Sequence, residues 1–269
     1  MGHQNRVIML ALFKSKPLLS DGEAAWLIDT FVWACEHFDG QHFLSHTKII
    51  EPTGQYFPDQ VSSVEQMAQT VFARVRDYAG MQAWPIQLVS PAHLPAQQSI
   101  PAFGFHGPSR GDAAELVAAP SHPVLLSYNP NQINQPQDLV ASFAGTLATI
   151  AIYQKGALPP GGEEQIAAAS DALACFMGFG VMMSNTVYQF KGGCGSCYNP
   201  YANRQAALSE EQTVFMHALV CYFKPGTDGK KHLKPHLKSV YKKAHKQIQE
   251  YVKGSANPLL LMFKEQSGA

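Results

Sequence analysis

From residue 137 to residue 253 the chain carries four helical apolar patterns in succession, and this run constrains the fold more than any other feature. The periodicity predicts helices over about 137–154, 163–185, 209–223 and 235–253. Ser209 with Gln212 three residues on forms a capping box for the third, and Pro235 sits near the first turn of the fourth, where proline is tolerated. The preceding half reads differently. Trp26, Leu27, Phe31, Ala34 and Cys35 recur at helical spacing between Ala24 and Phe38, before a stop at Asp39-Gly40. Ser62 and Glu65 make a second capping box ahead of a stripe through Val64, Met67, Ala68, Val71, Phe72, Val75 and Tyr78, closed by Gly80.

Residues 42–50 and 85–89 read as strands, and 102–105, 115–118 and 123–128 as shorter ones among Pro, Gly and His. Strands first and helices after predict an α+β fold with a small, mixed N-terminal sheet and a helical C-terminal half. No internal repeat or low-complexity stretch divides the chain. Residues 129–137, rich in Asn, Gln and Pro, are the most linker-like segment but have the length of an ordinary loop. The expected organisation is therefore one domain over 1–269, with an α/β part (1–135) and a helical part (136–269).

Composition narrows the class. The chain has 269 residues, 46% hydrophobic and 15% charged, with 20 Lys+Arg against 20 Asp+Glu. That describes a soluble globular protein with enough residues for a sizeable core and no global field to steer nucleic acid or an anionic membrane. Near the start the longest apolar run is Val7 to Phe13, far below the roughly 20 residues of a membrane span, and no small-residue cleavage site follows it. Met1-Gly2 opens a myristoylation-like start, yet Arg6 stands where that motif needs Ser or Thr. Five scattered cysteines suit reduced thiols better than a disulfide framework. A cytoplasmic location and no membrane span are expected.

The segment from Leu139 to Ile150 is unusual for a helix. Leu139, Phe143, Leu147 and Ile150 make a core-facing stripe, while the weak helix formers Gly145, Thr146 and Thr149 occupy its middle. Small residues there suit close helix–helix packing. The segment also resembles the active helix of a family of uncharacterised bacterial zincin-like proteins, which reads approximately L-V-A-T-L-A-H-E-L-A-H-V. About twenty residues later that family has a second helix of the type E-P-L-T-D-L-L-T-V-F-x-G-x-G. Residues 139–144 resemble the lead-in and 171–180 the second helix, and further similarity lies at 26–31, 74–81, 208–210 and 215–219.

The resemblance implies a zincin-like fold, but the chain departs from the motif at its chemistry. In H-E-x-x-H, two His at i and i+4 bind Zn²⁺ and the Glu serves as general base. Here those positions are Gly145, Thr146 and Thr149, and Ala167 replaces the glutamate that opens the second motif. Ligands and base are lost together, so metal-assisted hydrolysis by that route has no parts. Asp171 remains from the second motif, as a structural or a functional acid. The resemblance thus implies a degenerate, non-catalytic zincin with no cofactor, acting by binding another protein.

Two other constellations offer alternatives. Cys194 and Cys197 in a glycine-rich loop, with His217 and Cys221 four apart on the next helix, spell C-x2-C-x19-H-x3-C, a spacing that a structural zinc site or a zinc-dependent hydrolase could use. From Lys224 to Lys253 nine lysines face Asp228 and Glu250, a local charge of 9 − 2 = +7. Lys231, Lys234, Lys238, Lys242 and Lys246 make a basic surface for an anionic partner. Without any arginine, bidentate phosphate recognition is disfavoured and nucleic acid is not the expected ligand. His37, His42 and His46 read as surface or packing residues, with His42 and His46 on one strand face. No G-x-S-x-G elbow occurs.

Overall fold

Local sequence signals account for several helix starts in the computed structural model, which describes residues 16–187 and 203–267. Helix α1 (Asp21–His37) opens on a capping box between Ser20 and Glu23 and buries Leu27, Ile28, Phe31 and Ala34. Helix α2 (Gly40–Ser45) follows at once, then α3 (Val64–Tyr78). The α3 cap is Ser63, whose side chain accepts from the Gln66 N–H, while the Gln66 carboxamide oxygen reaches back to Ser62. Ser62 and Glu65 are therefore one residue out of register with the true cap.

Two short strands, β1 (Ile86–Leu88) and β2 (Val124–Leu126), pair in parallel, with Ile86 opposite Val124. Phe105 and Leu116 meet in a single antiparallel bridge. The expected mixed sheet is thus a two-stranded parallel one, and 102–105 and 115–118 do not extend it. The strand expected over 42–50 is also absent: its first part is α2. The tertiary packing of Phe43 decides this, because its ring stacks on Phe176 at 4.6 Å and meets Phe31 edge-on at 5.5 Å.

Three of the four helices expected in the C-terminal half form as single helices. Helix α4 (Pro136–Lys155) starts with proline at its first position and stops at Gly156, whose left-handed φ of 64° ends the ladder. Helix α5 (Ile166–Ala174) runs into a wide turn over Cys175–Phe179, and the chain then continues as α6 (Gly180–Asn185). The predicted helix over 163–185 is therefore broken at Gly178 (φ 104°), where the 47–50 segment crosses and the Ile50 N–H donates to the Gly178 carbonyl. By length and composition this stretch could cross a membrane, but 83% of its most apolar window is buried inside the protein.

Helix α7 (Glu210–Tyr222) carries the predicted Ser209–Gln212 capping box. Helix α8 (Leu237–Gly254) packs along it, burying Leu237, Tyr241, Ala244, Ile248 and Val252. A further helix, α9 (Pro258–Ser267), lies beyond the four expected, and its start signal is Asn257, whose side chain accepts from the N–H groups of Leu259 and Leu260. Both halves feed one core. At its centre Phe31 stacks on Phe223 at 5.2 Å and meets Phe176 at 5.7 Å, joining α1, the Gly178 turn and the end of α7. Each such buried ring contributes about 1.5–3 kcal/mol.

Candidate functional site

The α4 positions where the zincin resemblance calls for ligands face outward. Leu139, Val140, Phe143, Ala144, Leu147 and Ala148 fill the core side, leaving Gly145 and Thr149 half-buried and Thr146 exposed. A Cβ added at Gly145 would meet nothing within 4 Å. The glycine therefore does not serve close helix–helix packing. The helix contact lies one turn further on, where the Thr149 hydroxyl donates to Ser170 Oγ of α5 at 2.9 Å and the Ser170 hydroxyl donates to the Ile166 carbonyl at 2.8 Å. Thr146 bonds back to the Ser142 carbonyl. Ala167 lies exposed in the first turn of α5. The face bears no imidazole or carboxylate, and a neutral threonine hydroxyl is a poor zinc ligand.

Asp171 turns the other way, into the interior. Its Oδ1 lies 2.6 Å from Arg204 Nη1, and its Oδ2 accepts from the backbone N–H groups of Ala207 (2.8 Å) and Leu208 (3.1 Å). Arg204 also donates through Nε to Thr186 Oγ1 and through Nη2 to the Met183 carbonyl, while its backbone N–H donates to Asp138 Oδ1. Both charged side chains are under a tenth exposed. This network fastens α5, the end of α6 and the first turn of α4 to the strand of chain entering α7. A buried carboxylate that accepts from a guanidinium and two backbone N–H groups holds chain segments together.

Of the four thiol and imidazole candidates, Cys194 and Cys197 lie outside the described residues. His217 and Cys221 share one face of α7, with Cys221 Sγ 3.7 Å from His217 Nδ1. His217 is fully buried, donates from Nε2 to the Gly229 carbonyl at 2.7 Å, and is held down to about 4 by burial. Burial likewise pushes the Cys221 thiol up to about 12. Among the described residues no three His, Cys, Asp or Glu side chains are grouped to hold a metal ion.

A denser polar cluster lies where sequence reasoning placed only packing. The carboxyl ends of α1, α2 and α3 converge there, and two cations cap them. Arg110, 2% exposed, donates from Nε to the Ala79 carbonyl at 2.8 Å and from Nη1 to the Phe38 carbonyl at 3.1 Å. Lys224 donates to the carbonyls of Phe43 and Leu44. Carbonyls at the negative ends of the helix dipoles thus help to hold both charges, and among the described residues neither cation has a direct carboxylate partner. Burial lowers Arg110 to about 10, and burial together with Arg110 lowers Lys224 to about 8.

His42 stacks on His46 with ring centres 5.3 Å apart, and its ring lies against Gly80 and Gly111, both at positive φ. A helical turn, not strand parity, brings the two imidazoles together. Burial first, then Arg110, hold His42 down to about 4. The only described non-glycine residue at positive φ, Asp39 (60°), anchors the rim by accepting from the Ser109 N–H and hydroxyl. His42, His46 and Arg110 line a groove of about 600 Å³ together with Lys48, Asp77 and Asp112. The partners of Arg110 lie 31 and 72 residues away in sequence, which no local motif records.

The predicted basic surface is real as a surface. Lys231, Lys238, Lys242 and Lys246 are exposed and Lys234 is half-buried. No protein-family model matches the chain, and no curated protein or solved structure matches it.

Proposed function

We propose that this chain is a non-catalytic, cytoplasmic relative of zincin-like metallopeptidases that works by binding another protein. The observation that carries the reading is the α4 face. Gly145, Thr146 and Thr149 stand where the resembling family has two histidines and a glutamate, and the Thr149 hydroxyl is engaged by Ser170. Asp171, the acid shared with the second motif, is held by Arg204 and two backbone N–H groups. Neither a Lewis-acid ligand set nor a free base is left on that face. Cys35, Cys175 and Cys221, all buried free thiols, suit a reducing compartment.

The test is peptidase activity of the purified full chain on an unstructured protein substrate, with and without chelator. No chelator-sensitive proteolysis is expected. Metal-dependent turnover abolished by chelator and restored by zinc would overturn the reading. A gain-of-function arm, Gly145→His with Thr149→His, puts an i,i+4 imidazole pair on an open helix face and is expected to bind Zn²⁺ more tightly than the parent chain.

A further inference from the structure

The most amphipathic described helix turns a lysine-bearing side outward. The apolar residues of α8 (Leu237, Tyr241, Ala244, Ile248 and Val252) are buried against the body, so its lysines point away from it. Lys242 and Lys243 form no ion pair among the described residues. The segment before α1 runs beside this helix and is clamped to it: the Gln247 side chain accepts from the N–H groups of Leu18 and Leu19 at 3.1 Å and donates to the Leu19 carbonyl at 2.9 Å. Between them lies a groove of about 630 Å³. Its walls include Pro17, Leu18, Ala24 and Tyr251, and four lysines (16, 242, 243 and 246) outnumber the two carboxylates of Asp21 and Glu250 at its rim.

We infer that this groove binds an acidic peptide segment of a partner protein that inserts one or two large apolar side chains. The inference rests on the non-catalytic binding reading and names the surface and the partner chemistry for it. Charge complementarity selects an anionic partner, since the groove's own lining, Lys16, Lys242, Lys243 and Lys246 against Asp21 and Glu250, carries 4 − 2 = +2. The shape and lining select a peptide. A concave trough with an apolar wall and an exposed Tyr251 receives a side chain as anchor, whereas a flat anionic bilayer does not enter it. A nucleic-acid backbone brings no apolar group, and the segment has no arginine to grip phosphate bidentately.

The experiment measures fluorescence anisotropy of a labelled peptide of about twelve residues, glutamates flanking a central Leu-Phe pair, titrated with the full chain. A glutamate-only peptide of equal length, a short DNA duplex and phosphatidylserine-containing vesicles are run in parallel. The Leu-Phe peptide is expected to bind at least about tenfold more tightly than each of these, and to weaken at least about tenfold between about 50 and 500 mM NaCl. Lys242→Glu with Lys243→Glu is expected to weaken it by a similar factor without lowering the melting temperature, because both side chains are exposed. Tyr251→Ser is expected to weaken the Leu-Phe peptide and leave the glutamate-only peptide unchanged. No binding at low salt, binding indifferent to the charge reversal, or tighter binding of DNA or vesicles overturns the inference. Chelator-sensitive proteolysis would remove the non-catalytic reading while leaving the groove's peptide affinity to stand or fall separately.

Discussion

Replacing Asp171 with alanine is expected to cost the fold about 3–5 kcal/mol, because it leaves the Arg204 guanidinium buried without its counter-ion. The geometry sets that magnitude. The two groups meet at 2.6 Å with both side chains under a tenth exposed, so little water can solvate the abandoned charge. Two unit charges 4 Å apart attract by about 4 kcal/mol at an effective dielectric of about 20, in line with that range. The N–H groups of Ala207 and Leu208 lose their acceptor in the same step. Against a total stability of about 5–15 kcal/mol, the loss is large. Urea denaturation followed by circular dichroism reads it. With an m-value of about 3 kcal/mol per molar, the midpoint falls by at least about 1 M. Asp171→Leu combined with Arg204→Met removes both charges and is expected to cost about 2 kcal/mol less than the sum of the single changes. A loss below about 1 kcal/mol for Asp171→Ala, or strict additivity in the pair, refutes the assignment of Asp171 as a structural acid.

Two glycines should respond in opposite directions. A Cβ on Gly178 would collide with the Lys48 carbonyl at φ 104°, so Gly178→Ala is expected to cost at least about 3 kcal/mol or abolish folding. Gly145→Ala meets open space in a helix interior and is expected to stabilise by about 0.5–1 kcal/mol; urea midpoints of the two variants decide both. His217, held near 4 inside the protein, is protonated first in the unfolded chain below its ordinary value of 6.5. Its neutral form therefore supports the fold above about pH 6.5, and that support of about 3 kcal/mol is lost as pH falls toward 4. Equilibrium unfolding of the parent and His217→Gln across that range should show the steeper acid loss in the parent; equal slopes would contradict it. Cys35, Cys175 and Cys221 are buried with thiols pushed up, so peptide mapping after iodoacetamide at pH 8 is expected to find them unlabelled until denaturant is added. Labelling of native Cys175 would contradict its burial.

The two readings of the α4 face rest on different kinds of information. That Gly145, Thr146 and Thr149 lack metal-binding groups is a property of residue types and needs no coordinates. That Gly145 faces open space, and that Thr149 reaches Ser170 across the helix pair, depends on where α5 lies. Asp171 was legible as a candidate acid, but its partner Arg204 is 33 residues away and no spacing rule connects them. The Arg110 cluster was illegible for the same reason, although Gly80 and Gly111, each pressed on His42, mark where the backbone makes room.

Helix positions were readable because the signals that set them act over three to five residues: the stripe of α4, the Ser209–Gln212 box of α7 and the glycine after Lys155 are each local. The amphipathicity of α8 and its lysine face were equally local, since side chains four apart on a helix share a side. Tertiary structure showed that residues 40–45 form a helix and do not extend, with Phe43 packed beside Phe31 and Phe176. It also decided that Gly178 breaks a long apolar helix so the 47–50 segment can cross, and that buried Arg110 is held by carbonyls at helix ends. Each outcome depends on contacts between residues tens of positions apart, whose free energy arises only once the intervening chain has closed.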